Sequence, residues 1–296
     1  MRGKSQAVMI VTVLAMLSLM FPPASILSAA AIALVTLRLG WKDSATVLVL
    51  AGVACGLLAQ LILGVLLHAV GFVLLMWLPV VVLALLLRTS RSLAIAIQGG
   101  IAMAVIAILV QFALTDDLIS DWRPLLEPFS EALIEAKMLE PAQQETLVTT
   151  MAQWMPGILA AGILLQSLAG LLLARWWQAM LYNPGGFKQE FHQLRLSRVL
   201  ALATLVVVVA RLLLSGGAGA LADALMMALI AGWFLQGLAL AHGALGLLGV
   251  NNGWLIGIYL LLIFAMPHMV MVLASAGFAD AWFDFRARLA GNKNSA

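Results

Sequence analysis

Apolar residues run through this chain in long, unbroken stretches, punctuated by short clusters of charge, proline and glycine. Leu, Ala and Val follow one another without the alternation of a half-buried strand, so the pattern predicts helices. Nine stretches are long enough to cross or nearly cross a bilayer: residues 7–21, 24–38, 44–67, 70–87, 92–114, 155–174, 199–214, 219–241 and 254–276. The first two are short, and Pro22-Pro23 between them reads as a tight turn. The fold class expected is all-α, a polytopic transmembrane helical bundle of about eight to nine spans. One alternative stays open at the N-terminus. Arg2 and Lys4 before an apolar run, with Ala24, Ser28 and Ala29 after it, have the layout of a signal peptide.

Composition strengthens the membrane reading. The chain has 296 residues, 64% hydrophobic and 10% charged, with mean hydropathy +1.09. A soluble domain carries about 25% charged residues. Cys55 is the single cysteine, which excludes an intramolecular disulfide and a thiolate metal cluster. The net charge of +3 fits basic loops at a membrane surface better than nucleic-acid binding. Those loops also orient the chain. With Arg2 and Lys4 in the cytoplasm, Arg38/Lys42, Arg88/Arg91 and the loop holding Arg175, Lys188, Arg195 and Arg198 all fall inside. The C-terminus breaks the pattern. Nine spans put it outside, while Arg286, Arg288 and Lys293 favour the inside.

Two connecting segments stand out. The insertion 115–153 is acidic and expected to be periplasmic, with Pro128 and Pro141 each placed to open an amphipathic helix. It reads as a surface-lying connector, or as a lid over an outward-facing cavity. The cytoplasmic loop 175–198 carries Trp176, Trp177 and Tyr182 for the interfacial belt, then the turn Asn183-Pro184-Gly185-Gly186. Phe187, Phe191 and Leu194 then share a helical face beside Lys188 and Arg195. That helix either lies on lipid or docks a cytoplasmic partner through Phe187, Lys188, Phe191 and Arg195.

Catalytic signatures are missing: there is no His-Glu-x-x-His, Gly-x-Ser-x-Gly or phosphate-binding Gly-x-x-x-x-Gly-Lys-Ser/Thr. No enzyme, metal or cofactor is expected. His68, His192, His242 and His268 read as polar residues with local partners. Arg211 and Asp223 flank the turn Ser215-Gly216-Gly217-Ala218-Gly219 at similar depth, so they form either a structural ion pair or a polar site. A small-Gly-x-x-x-Gln pattern recurs around Gln60, Gln166 and Gln236. It predicts close helix packing with amide cross-links, or a polar central site lined by the three glutamines.

The stretch Ala174 to Arg198, with Arg-Trp-Trp-Gln-Ala-Met-Leu-Tyr-Asn-Pro-Gly-Gly-Phe, resembles the YybS-like family of uncharacterised bacterial membrane proteins. Gln236-Gly237-Leu238-Ala239-Leu240-Ala241-His242, Gly253-Trp254-Leu255 and Gly277 to Arg286 are similar to that family's closing segments, so the resemblance covers nearly the whole chain. The family is in turn distantly similar to substrate-binding subunits of energy-coupling factor vitamin transporters and to the rod-shape protein MreD. This implies a transporter-subunit-like six-helix core over residues 1–198 and a membrane extension over 199–296. Vitamin subunits carry Ala-x-x-x-Ala in their first span; here Ala7, Val11 and Ala15 form the stripe, so that docking face is altered. The expected function is binding or translocating a small, rather apolar solute in the bacterial inner membrane. The alternative is a non-transporting scaffold for cell-envelope or division machinery. The partners expected are the lipid bilayer and an unidentified membrane or cytoplasmic protein.

Overall fold

The computed structural model describes residues 3–64, 71–115, 117–251 and 253–294; Arg2, His68 and Asp116 lie outside them. Thirteen α-helices and no strand occur among the described residues. Helices α1 (Lys4–Leu17) and α2 (Ala24–Leu39) meet at the Pro22-Pro23 turn. Helix α2 is deeply packed, with Ala29, Ala30, Ile32 and Ala33 fully buried. Its small residues let neighbouring backbones approach, the main source of attraction between helices in lipid. A Cβ on Gly170 would sit 2.9 Å from the Ala29 Cβ.

Helix α3 (Trp41–Leu63) follows Gly40, whose φ of +90° suits glycine. A π-helical turn, Val73–Trp77, leads into α4 (Leu78–Ser90). Its buried Trp77 donates through Nε1 to Ser28 Oγ at 3.0 Å, and that hydroxyl donates to the Val11 carbonyl at 2.9 Å, tying α4, α2 and α1 together. Ser92 caps α5 (Leu93–Leu114) by accepting from the Ile95 N–H.

The acidic insertion forms a helical hairpin. Helix α6 (Leu118–Glu135) starts at the Asp117 cap and continues through both Pro124 and Pro128. Pro128 therefore does not open a helix. Both prolines sit on the exposed face, where solvent can satisfy the freed carbonyls, while Ile119, Trp122, Leu126 and Ser130 line the other face. That face packs on Val148, Ala152 and Met151 of α7 (Gln144–Tyr182), which a 3₁₀ turn at Pro141–Gln143 precedes. At 39 residues α7 is about 58 Å long, far more than a bilayer core needs, so its first turns project beyond the bundle and pair with α6. Arg123 clamps the hairpin with a bidentate bond to Glu145 at 2.9 and 2.6 Å.

The remaining helices are α8 (Gly186–His192), α9 (Arg198–Leu213), α10 (Gly216–Leu248), α11 (Gly253–Phe264), α12 (Met266–Phe283) and α13 (Phe285–Asn294). Four helices, α3, α5, α7 and α10, are long and apolar enough to cross a membrane alone. Residues 199–296 do not form a separate layer. One hydrophobic cluster runs from Ala7 through Leu168 and Ala228 to Ala281.

The stretch 254–276 is not one span. The helix breaks at Ala265, just before Pro267, which has no N–H to continue the ladder. Helix α12 then brings the chain back, and its end meets the 192–198 segment. Arg195 pairs with Asp284, and Arg198 Nε donates to the Ala281 carbonyl at 3.4 Å. The tail thus lies at the same end of the bundle as loop 175–198, which removes its conflict with the charge pattern. The other basic loops gather there too. Lys4 pairs with Asp43 at 2.6 Å, Arg38 lies over the Tyr182 ring, and Arg88 donates to the Leu37 carbonyl at 2.8 Å.

This topology is checked by labelling in a Cys55→Ala background. Lys188→Cys and Arg288→Cys should react with a membrane-impermeant maleimide from the same side. Reaction from opposite sides would contradict the hairpin.

Candidate functional site

After α8 the chain leaves the helical ladder over residues 194–197, yet Leu194 and Leu196 are buried. Buried backbone groups need partners, and here side chains supply them. Gln236 of α10 accepts from the Leu196 N–H at 2.7 Å and donates to the Gly277 carbonyl at 2.9 Å and to Asp280 at 3.3 Å. Gln98 of α5 accepts from the N–H and hydroxyl of Ser197. Arg286 donates to the carbonyls of His192 at 2.6 Å and Leu194 at 2.8 Å, and pairs with Asp280 at 2.6 Å. Asp280 is fully buried, and its second oxygen accepts from the Phe285 N–H. Removing one partner of such a pair leaves a buried charge and costs about 3–5 kcal/mol.

Glycines make this clasp possible. A Cβ on Gly237 would lie 1.8 Å from the Leu273 carbonyl oxygen, one on Gly277 2.3 Å from that of Trp233, and one on Gly243 2.7 Å from that of His192. Helices α10 and α12 therefore cross backbone to backbone.

Beside the clasp lies a groove of about 1020 Å³ between the end of α7, α8, the end of α10 and α11. Trp176, Met180, Phe187, Phe191, Leu245 and Leu255 form its apolar walls, and Lys188, His192, His242, Asn251 and Tyr259 bring polar ends to it. His242 Nδ1 lies 2.8 Å from the Leu238 carbonyl, so this nitrogen carries the proton; Nε2 is left to accept from the Tyr259 hydroxyl at 3.2 Å. Phe191 stacks on Phe187 and meets the His242 ring edge-on at 5.6 Å. Desolvation holds the His192 pKa below its ordinary 6.5, aided by the positive charges of Lys188 and Arg286. Among the described residues no three of His, Cys, Asp and Glu are grouped to hold a metal. An apolar trough with a few polar groups at one end is suited to binding an apolar body with a polar tip.

The residues singled out from the sequence are dispersed. Gln236 belongs to the clasp. Gln166 donates to the Met76 sulfur, between α7 and the π-turn. Gln60 lies on the exposed face of α3. The three glutamines do not share a site, because each sits on a different helix pair or face. Arg211 and Asp223 form the ion pair across the glycine turn, both side chains partly exposed. Phe187 and Phe191 turn inward to the groove, and Arg195 is held by Asp284, so only Lys188 of the docking set is exposed and without a salt bridge among the described residues. Asp280, Arg286, Gln98 and Tyr259 escaped notice as site residues. A signal for the first two was present: an acid and an arginine six residues apart at the end of an apolar run.

The family described as predicted membrane protein (DUF2232) matches residues 9–281. The chain belongs to this DUF2232 family. The match covers the clasp up to Asp280 and the whole groove, and stops before Arg286. No curated protein and no solved structure matches the chain.

The depressed His192 pKa fixes the sign of a pH effect. Folding favours the neutral ring, so its contribution is complete above about pH 6.5 and is lost as pH falls through the lower folded value. Melting temperature in detergent should therefore fall between pH 6.5 and pH 5. His192→Gln should flatten that part of the profile. An unchanged slope in the variant would remove His192 as the cause.

Proposed function

We propose that this protein binds a small, rather apolar molecule in the groove beside α8, as a transporter-like membrane subunit that hydrolyses no nucleotide itself. The observation that carries the reading is the groove's form: large, walled by Trp176, Phe187, Phe191 and Leu255, with polar groups confined to a few positions. A ligand resting there contacts α8 and α10, and so touches the clasp through His192, whose carbonyl accepts from Arg286. The YybS-like resemblance supports a substrate-binding subunit, and an ATP-driven cycle would need partner chains. By the positive-inside rule the basic end faces the cytoplasm of a bacterial inner membrane, with the N-terminus on that side.

The scaffold reading draws on a different observation. Helix α3 leaves Val49, Val53, Leu57 and Leu61 exposed along its length, a face that a membrane partner could cover as well as lipid.

Native mass spectrometry of the purified chain separates the two. Solute binding predicts a retained small molecule, and its loss in Met180→Trp, which fills the groove from an exposed position. A scaffold predicts co-purifying protein, lost on Val53→Trp in α3, with no small molecule sensitive to Met180→Trp.

A further inference from the structure

A second cavity, of about 400 Å³, opens at the same end of the bundle on the other side of α7. Leu37, Leu87, Arg88, Arg91, Arg175, Gln178 and Glu190 line it, so three guanidiniums meet one carboxylate. Glu190 and Gln178 are already taken by Arg175, through Nε at 2.9 Å and Nη1 at 2.7 Å respectively. Arg88 spends Nη1 on the Thr36 and Leu37 carbonyls at the end of α2. Its Nε and Nη2 lie over Gly40, where even a Cβ would stand 3.6–3.7 Å away. Arg91 ends α4 in the left-handed conformation, with φ +53°. Among the described residues its guanidinium has no acceptor. The pocket therefore presents unspent planar donors and a net positive charge, over a floor of buried Leu37 and Leu87.

We propose that this pocket binds the phosphodiester headgroup of an anionic glycerophospholipid, with Arg88 and Arg91 as the donors. Guanidinium forks match phosphate oxygens in geometry and charge. A basic pocket between helices at the positive end of a membrane bundle is where such headgroups dock. The buried leucines favour a lipid over a free anion, since the glycerol and first acyl carbons would rest on them. Arg175 pairs with Glu190 and so offsets the one carboxylate in the lining, which keeps the site positive. The site is separate from the groove and does not depend on the solute reading.

The test is native mass spectrometry of the full chain in detergent, with phosphatidylglycerol, phosphatidylcholine of the same chains, and inorganic phosphate as probes. Phosphatidylglycerol adducts should survive, and phosphatidylcholine, which has the same phosphodiester but a quaternary ammonium that the positive lining repels, should be retained about tenfold less. Arg91→Asn keeps a residue that tolerates the left-handed conformation and should lower phosphatidylglycerol retention about tenfold. Arg88→Gln, which retains a donor for the Leu37 carbonyl, should act in the same direction. Arg288→Asn removes a charge at the same end outside the pocket and should change nothing. Equal retention of the two lipids would remove any preference for an anionic headgroup and overturn the site; an equal loss in Arg288→Asn would reduce the attraction to diffuse charge and overturn it as well. Binding of inorganic phosphate alone, displacing the lipid, would overturn the lipid assignment.

Discussion

Between α8 and α9 the backbone leaves the helical ladder for four residues at the basic end of the bundle, with Leu194 and Leu196 buried and Arg195 and Ser197 exposed. The backbone groups beside these buried leucines need partners in place of the missing ladder. Gln98, Gln236 and Arg286 supply them from three different helices, and Asp280 neutralises the arginine that the job requires. Several features follow. Gly237, Gly243 and Gly277 let α10, α12 and the His192 carbonyl come close enough for these bonds. The C-terminal tail has to return to this end for Arg286 to reach. Helix α8 is held tilted into the bundle, which leaves the groove beside it.

The clasp joins the first half of the chain to the second. One hydrophobic cluster spans residue 198, and α10 carries both Gln236 and Ala228 and Leu229, which belong to that cluster. A membrane helix pair has little hydrophobic drive of its own, because lipid tails solvate leucine as well as another leucine does. Close small-residue packing and a few well-satisfied polar bonds must supply the difference. Alanine-rich α2 does this for the first half, and the α10–α12 crossing for the second.

Much of this was legible in the sequence, for physical reasons. Long apolar runs specify helices because nothing else satisfies the backbone in lipid. The Pro22-Pro23 turn, the Arg211–Asp223 pair and the gathering of basic loops at one end follow from local signals or from charge alone. What was not legible depended on pairing at a distance. Leu196 and Gln236 are 40 residues apart, and His192 and Arg286 are 94. Pro128 misled because a proline also fits inside a helix when its face is solvated. Pro267 lies in a long run with few polar residues, so hydropathy alone predicts one span where the chain makes a hairpin. The glutamine repeat correctly marked Gln236 as engaged in helix packing, but similar spacing around Gln60 lies on an exposed face.

The central claim is that side chains from both halves satisfy the non-helical segment. Hydrogen exchange read by mass spectrometry on peptides covering residues 193–200 tests it most directly. The Leu196 and Ser197 amides should exchange as slowly as those inside α10, and Gln236→Leu should release the Leu196 amide while α9 stays protected. Rapid exchange of both amides in the unmodified protein, or no change in Gln236→Leu, would contradict the account.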